Sequence, residues 1–131
     1  MKLPVTITGY VQTGKHIGRR FDVPTANITP REDVSDLARG VYYSRISFDG
    51  SEHPSITNLG VRPTVSNDGK VNAETYIYDI SADIYGKYVS VCLLEFHRPE
   101  QKFASTDELF DVIRADFRSG MLYHDRTQRQ P

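Results

Sequence analysis

The sequence predicts a mainly β domain in which a barrel of strands is covered by one C-terminal helix. Short runs rich in β-branched and aromatic residues alternate with Gly, Asn, Asp and Pro, a pattern typical of strands and turns. Several of these runs carry apolar residues on both faces, which indicates a barrel wall with something packed outside it. One segment near the C-terminus has apolar residues at helical spacing and supplies that cover.

Turn residues divide the β-rich part of the sequence into five predicted strands. Their ranges are Val5–Gln12, Val41–Phe48, His53–Asn58, Val71–Asp79 and Tyr88–His97. Asp49-Gly50 predicts a tight hairpin between the second and third strands, because Gly readily adopts the positive φ that such a turn needs. The last strand is apolar at consecutive positions, so both of its faces are predicted to be buried.

The predicted helix has a signal at each end. Ser105-Thr106-Asp107-Glu108 forms a capping box, in which Glu108 follows the Ser105 cap by three residues. The residues Leu109, Val112, Ile113 and Phe117 then fall on one helical face. Gly120 lies where a C-terminal cap is expected. The sequence therefore predicts a helix that ends at Gly120, a core of about residues 5–120 and a tail over 121–131.

Length and composition narrow the classes of function. The 131 residues suit one domain spanning 1–131. Lys plus Arg number 16 and Asp plus Glu number 17, so the net charge of −1 gives no global field for a nucleic acid partner. The single cysteine, Cys92, excludes an internal disulfide and fits a reducing compartment. No apolar run approaches the length of a membrane span, and we expect a cytoplasmic protein without a membrane partner.

A basic, glycine-containing stretch is the first candidate for chemistry. Thr13–Arg20 contains the glycines Gly14 and Gly18 together with Lys15, His16, Arg19 and Arg20. Glycine lets the backbone approach an anion, and consecutive N–H groups can form a phosphate-binding nest. The stretch is not a Walker A loop, because His16 follows the Gly-Lys pair where Ser or Thr is required. Spacing alone leaves two interpretations open, a phosphate site and a solvated basic loop.

The basic stretch is followed closely by Val23-Pro24-Thr25-Ala26-Asn27-Ile28. This segment resembles the Pro-Thr-Ala-Asn signature that follows the glycine-rich stretch of the flavokinase (riboflavin kinase) family. Further resemblances come in the family's order: Gly40-Val41-Tyr42, Asn58-Leu59-Gly60-Val61-Arg62-Pro63-Thr64, the acid Glu74, Asp83-Ile84-Tyr85-Gly86-Lys87, and Phe96-His97-Arg98-Pro99-Glu100-Gln101-Lys102-Phe103. Together they span roughly Gly9 to Phe117.

The resemblance implies a fold and an activity. The fold is a six-stranded antiparallel Greek-key barrel with one C-terminal helix. The activity is transfer of phosphate from Mg-ATP to the 5′-hydroxyl of riboflavin, giving FMN and ADP. Many bacterial members carry an adenylyltransferase domain in front of the kinase, so such a domain is an expected partner if the chain is part of a longer protein.

The resemblance also implies roles for individual residues. The predicted nucleotide-binding residues are Gly14, Lys15, His16, Gly18, Arg19, Arg20, Tyr85 and Gly86. Thr25 and Asn27 match the residues that bind Mg²⁺, a cation that prefers oxygen ligands. The predicted flavin-binding residues are Arg98, Phe103 and Asp116. Structural alternatives are a turn at Pro24–Asn27, a strand-end arginine at Arg98, and a solvated helix acid at Asp116.

Glu74 is the predicted catalytic base. On the strand Val71–Asp79, Ala73 and Thr75 belong to the apolar face, whereas Glu74 points the other way with Tyr76. A carboxylate among aromatic rings is partly desolvated and suited to accept a proton from the ribityl hydroxyl. The structural alternative is an exposed glutamate on a strand.

Two positions depart from the family pattern, and two other functions compete. His16 and Asp22 stand where the family usually has glycine, which affects the predicted nucleotide loop. They suggest the first competitor, a catalytically impaired flavin- or nucleotide-binding module. Retention of Thr25, Asn27 and Glu74 argues against it. The second competitor is an oligonucleotide-binding barrel, which the balanced charge does not favour.

Overall fold

A computed structural model of the chain describes residues 2–12, 24–61, 71–80 and 84–128. It contains six strands and one long helix in the order β1 (Val5–Tyr10), β2 (Thr25–Ile28), β3 (Gly40–Phe48), β4 (Ser51–Val61), β5 (Val71–Ile77), β6 (Tyr88–Pro99) and α1 (Thr106–Gln128). The mainly β class and the C-terminal helix agree with the sequence analysis. No helix in these ranges is both long enough and apolar enough to cross a membrane.

All six strands belong to one antiparallel sheet with the order β1-β6-β3-β4-β5-β2. Because β6 returns to lie beside β3, the strands β3 to β6 form a Greek key. The sheet curls into a half-barrel, and its two edge strands approach each other at one end. There the Gln12 N–H donates to the Asn27 carbonyl over 2.7 Å, and the Arg31 N–H donates to the Thr8 carbonyl over 3.0 Å.

The five predicted strands are present, and β2 is an additional one. This strand begins directly after Pro24. Because it has only four residues, its sequence is too short to show an alternating pattern of apolar and polar side chains. The Asp49-Gly50 hairpin is confirmed, with positive φ values of 51° and 78°. Burial of both faces of β6 is not confirmed: Val91 and Leu93 are fully buried, but Cys92 on the other face is only partly buried.

The concave side of the sheet holds the apolar core and a chain of buried hydroxyl groups. Its largest fully buried apolar side chains are Tyr42, Ile7, Ile28, Ile46, Leu59, Ile77 and Leu93. Ser44 Oγ lies 2.7 Å from Ser55 Oγ and 2.8 Å from Thr57 Oγ1, and Thr57 Oγ1 lies 2.9 Å from Thr75 Oγ1. Each of these buried hydroxyls has a partner, which avoids the cost of desolvating an unpaired polar group.

The start of α1 follows the sequence prediction and its end does not. The Glu108 N–H donates to Ser105 Oγ over 3.1 Å, which is the first bond of a capping box. Glu108 Oε2 accepts from the Ala104 N–H, one residue before the cap. The helix continues through Gly120 to Gln128, so the predicted cap at Gly120 is wrong. A Cβ atom at position 120 would overlap the Tyr78 hydroxyl and the Ile56 side chain. Glycine is therefore needed here for close packing of the helix on the sheet.

Candidate active site

Five cross-strand partners form a continuous row over the convex face of the sheet. Asn27 on β2 is paired with Glu74 on β5, which is paired with Asn58 on β4. Asn58 is paired with Val41 on β3, and Val41 with Arg98 on β6. Because paired residues in an antiparallel ladder project to the same side, the register brings these five positions together on one surface. This row is called the polar row below.

The three residues predicted to bind metal and to act as base lie together at one end of the polar row. Thr25 precedes Asn27 by two residues and therefore shares its face, next to Glu74 on the paired strand. The intervening Ala26 and the flanking Ala73 are on the interior side, with exposures of 1% and 0%. Asn27 is itself 6% exposed, and its Oδ1 accepts a hydrogen bond from Asn72 Nδ2 over 3.3 Å.

Glu74 is held by a neighbouring phenol. Tyr76, two residues along β5, donates its hydroxyl hydrogen to Glu74 Oε1 over 2.6 Å. Burial, reinforced by the negative charge of Glu74, raises the pKa of Tyr76 above its ordinary range. The phenol therefore stays protonated and remains a hydrogen-bond donor to the carboxylate.

A cavity of about 730 Å³ lies between the polar row, the segment after β6 and helix α1. Its apolar walls are Val41, Ile56, Tyr76, Phe103, Leu109, Ile113 and Phe117, and its polar lining includes Asn58, Glu74, Glu100, Lys102, Arg98 and Asp116. The volume is in the range of pockets that bind compact organic ligands. An apolar wall with a few polar groups at one side can bind a flat ring and orient a polar chain attached to it.

All three residues predicted to bind flavin line this cavity, but two of them are paired with each other. Arg98 donates from Nε to Asp116 Oδ1 over 2.9 Å and from Nη2 to Asp116 Oδ2 over 2.7 Å. Asp116 is 5% exposed and also faces His97, whose Nε2 lies 3.4 Å from Oδ1. The alternative of a solvated helix acid is therefore wrong for Asp116. Phe103 is half-buried in the wall.

The predicted nucleotide-binding residues divide into two groups. Tyr85 is 63% exposed, and Gly86 has a φ of 84° in the turn before β6. This turn is held beside the end of the first described segment, because the Gly86 N–H donates to the Val11 carbonyl over 3.0 Å. It lies at the opposite end of β6 from Arg98. The other group, Gly14, Lys15, His16, Gly18, Arg19 and Arg20, lies outside the described residues, as does Asp22.

Comparison with known proteins identifies the family. The family model described as riboflavin kinase, or flavokinase, matches residues 1–123. The chain belongs to the riboflavin kinase family. A bifunctional riboflavin kinase/FMN adenylyltransferase from Pseudomonas fluorescens is 37% identical over 113 residues, which cover 86% of this chain and 36% of that protein. The chain thus spans about a third of the length of the curated relatives that it matches.

Solved structures show the same fold. A riboflavin kinase from Trypanosoma brucei has a TM-score of 0.64 at 22% identity, over 95% of this chain and 80% of that one. A Streptococcus pneumoniae protein described as a macrolide-efflux protein has a TM-score of 0.76 at 31% identity, over 90% of this chain and 38% of that one. The curled antiparallel sheet with its C-terminal helix is therefore the riboflavin kinase fold.

The oxygen donors of the riboflavin kinase motif suit a hard divalent cation. Among the described residues, no group of three or more His, Cys, Asp or Glu side chains could hold a metal ion. The side chains of Thr25 and Asn27 offer neutral oxygens, beside the carboxylate of Glu74. Mg²⁺ takes few protein ligands of this kind when substrate phosphates and water supply the others. The donor set therefore fits Mg²⁺ bound together with a nucleotide.

Sequence reasoning missed two features of the site. The hydrogen bond from Tyr76 to Glu74 could have been predicted from the sequence, because residues two apart on a strand share a face. The place of Asn58 between Glu74 and Val41 depends on the register of three strands, which no local pattern specifies.

Proposed function

We propose that this chain transfers the γ-phosphoryl group of Mg-ATP to the 5′-hydroxyl of riboflavin, giving FMN and ADP. Membership of the riboflavin kinase family supports this reaction. The observation that carries the proposal is the pairing of Asn27 with Glu74 at the rim of a cavity of suitable size. It puts an oxygen donor for a metal next to a candidate base.

In this proposal the isoalloxazine ring lies against the apolar walls of the cavity, and the ribityl chain extends along the polar row towards Glu74. Glu74 accepts the proton of the 5′-hydroxyl as that oxygen bonds to the γ-phosphorus. The bond between the γ-phosphorus and the β,γ-bridging oxygen breaks, and ADP leaves. Phosphoryl transfer depends mainly on positioning and on stabilisation of charge, so the protein contributes orientation and one proton acceptor.

The proposed metal and nucleotide sites adjoin this carboxylate. Thr25 and Asn27 would hold Mg²⁺, which supplies charge neutralisation for the phosphate oxygens when bound. The ATP phosphates are proposed to lie under residues 14–20, with Tyr85 and Gly86 near the nucleotide. Arg98 has an ion-paired guanidinium, so we propose that it and Asp116 shape the flavin cavity together with Phe103.

A partner domain is proposed from the relatives, and a cellular location is proposed from the composition. The relatives are named for two activities, and the chain covers 36% of their length. A partner domain with FMN adenylyltransferase activity is therefore a proposal, and the kinase is the activity assigned to residues 1–123. A cytoplasmic location is also proposed, since the single Cys92 suits a reducing compartment.

A product assay tests the proposed function. The 131-residue chain is incubated with riboflavin, ATP and Mg²⁺, and the flavins are separated by chromatography. We expect a peak with the retention of FMN, none with that of FAD, and no conversion when ATP is omitted or Mg²⁺ is chelated. Flavin emission persists after phosphorylation, so retention is the measurement. Complete absence of FMN under these conditions would overturn the proposal and favour the impaired binding module.

A further inference from the structure

Tyr76 makes a contact with Glu74 that differs from ordinary packing. Its hydroxyl lies 2.6 Å from Glu74 Oε1, which is short for a hydrogen bond and typical of one to a charged acceptor. The two residues are at i and i+2 on β5, so both project to the convex face and towards the cavity. The bond therefore restrains the carboxylate on the same side from which substrate would approach.

Tyr76 is in turn fixed by the helix. The side chain is 6% exposed, and its ring meets that of Phe117 edge-on, with centroids 5.1 Å apart. Phe117 belongs to α1 and also lines the cavity. A buried ring held on two sides has little rotamer freedom, so its hydroxyl is presented to Glu74 in one position.

We infer that Tyr76 is a positioning residue for the proposed base, which holds one oxygen of the Glu74 carboxylate so that the other accepts the proton of the substrate hydroxyl. The inference rests on the proposed function, because it takes Glu74 to be the base. It also links the base to the cavity wall, since the chain of contacts runs from Glu74 through Tyr76 to Phe117. The base and the flavin are thereby positioned by the same helix.

The variant Tyr76→Phe tests this role with a matched control. It keeps the ring and removes the hydroxyl, so we expect kcat for FMN formation to fall roughly 10- to 100-fold, the scale of a loss of orientation. The KM for riboflavin should stay within about twofold, because the apolar wall is unchanged. The control is Tyr78→Phe, two residues further along the chain, which removes a partly buried hydroxyl that donates to the Phe117 carbonyl over 3.0 Å. It should lower the melting temperature but keep kcat.

A double variant separates positioning from general stability. Adding Tyr76→Phe to Glu74→Gln should reduce kcat no further, since the hydroxyl acts through the carboxylate that is already lost. Independent, multiplicative losses would overturn the inference, as would a Tyr76→Phe enzyme with the kcat of the wild type. A wild-type chain that forms no FMN would remove the proposed function and this inference with it. Wild-type turnover together with an unaffected Tyr76→Phe variant would remove the inference alone.

Discussion

At the scale of single residues, environment decides what an ionisable side chain does. Arg98 lines the cavity, yet two of its nitrogens donate to Asp116 and a third, Nη1, donates to the Pro99 carbonyl. The bidentate pair joins β6 to α1 and neutralises two charges at the cavity wall. Glu74, by contrast, has the Tyr76 hydroxyl as a partner in the described part of the chain, and this hydrogen bond holds one of its two carboxylate oxygens.

The motif residues of the site could be predicted from the sequence, but their partners could not. Alternation along β5 indicates that Glu74 faces away from the core, and the Pro-Thr-Ala-Asn resemblance selects Thr25 and Asn27. The burial of Asp116 follows from how α1 docks, because the same residue on an undocked helix would face water. Local spacing carries no information on that docking.

His124 gives a prediction of pH dependence at this scale. It is 4% exposed, its Nε2 lies 2.8 Å from the Ser55 carbonyl, and its buried Nδ1 has no hydrogen-bond partner in the described part of the chain. Burial lowers the pKa of His124 below its ordinary value. The unfolded chain therefore binds the proton at higher pH than the folded chain does, and protonation favours unfolding.

We expect the free energy of unfolding to fall as the pH drops below about 6.5, the ordinary histidine value. His124→Gln can still donate to the Ser55 carbonyl but cannot titrate, so part of this dependence should disappear. Chemical denaturation of the wild type and of His124→Gln between pH 5 and pH 8 measures how the free energy of unfolding of each depends on pH. Equal pH dependence in the two proteins would mean that the buried imidazole makes no contribution.

At the scale of elements, packing overrides the local signal at the end of α1. A glycine late in a helix commonly marks a C-terminal cap, and the sequence pattern predicts such a cap at Gly120. Gly120 instead lies inside the helix, where it lets the backbone approach Tyr78 and Ile56. The Ser105 cap of α1 is confirmed, and it could be predicted because its partner, the Glu108 N–H, lies only three residues along the chain.

Gly120→Ala distinguishes a glycine in an ordinary helix interior from one needed for close packing, because the two roles predict changes in stability of opposite sign. If position 120 were an ordinary helix interior, alanine would stabilise the protein by about 1 kcal/mol through its higher helix propensity. Because the added methyl group would overlap Tyr78 and Ile56, we expect a loss of about 1–3 kcal/mol instead. Met121→Ala, at a neighbouring side chain that is 60% exposed, should change stability little. Urea denaturation measures the free energy of unfolding of the wild type and of the two variants. A Gly120→Ala protein that is more stable than the wild type would refute the packing role.

At the scale of the whole molecule, the topology assembles the site from distant parts of the sequence. The polar row takes one residue from each of β2, β5, β4, β3 and β6, and the row exists because the Greek key of β3 to β6 is extended at β5 by β2. Five of the six strands could be predicted from alternation and turns. The short β2 could not, although it carries Thr25 and Asn27, because four residues give no period and its pairing with β5 is long-range.

The most direct test of the account is the activity and ligand binding of Glu74→Gln. The control is Glu95→Gln, the same change at an exposed position on β6. Riboflavin affinity is measured by fluorescence titration, and FMN formation is followed by chromatography. We predict that Glu74→Gln binds riboflavin within about twofold of the wild type while its turnover falls about 10²–10⁴-fold, the contribution of a general base, and that Glu95→Gln matches the wild type in both. Wild-type turnover by Glu74→Gln would contradict the account.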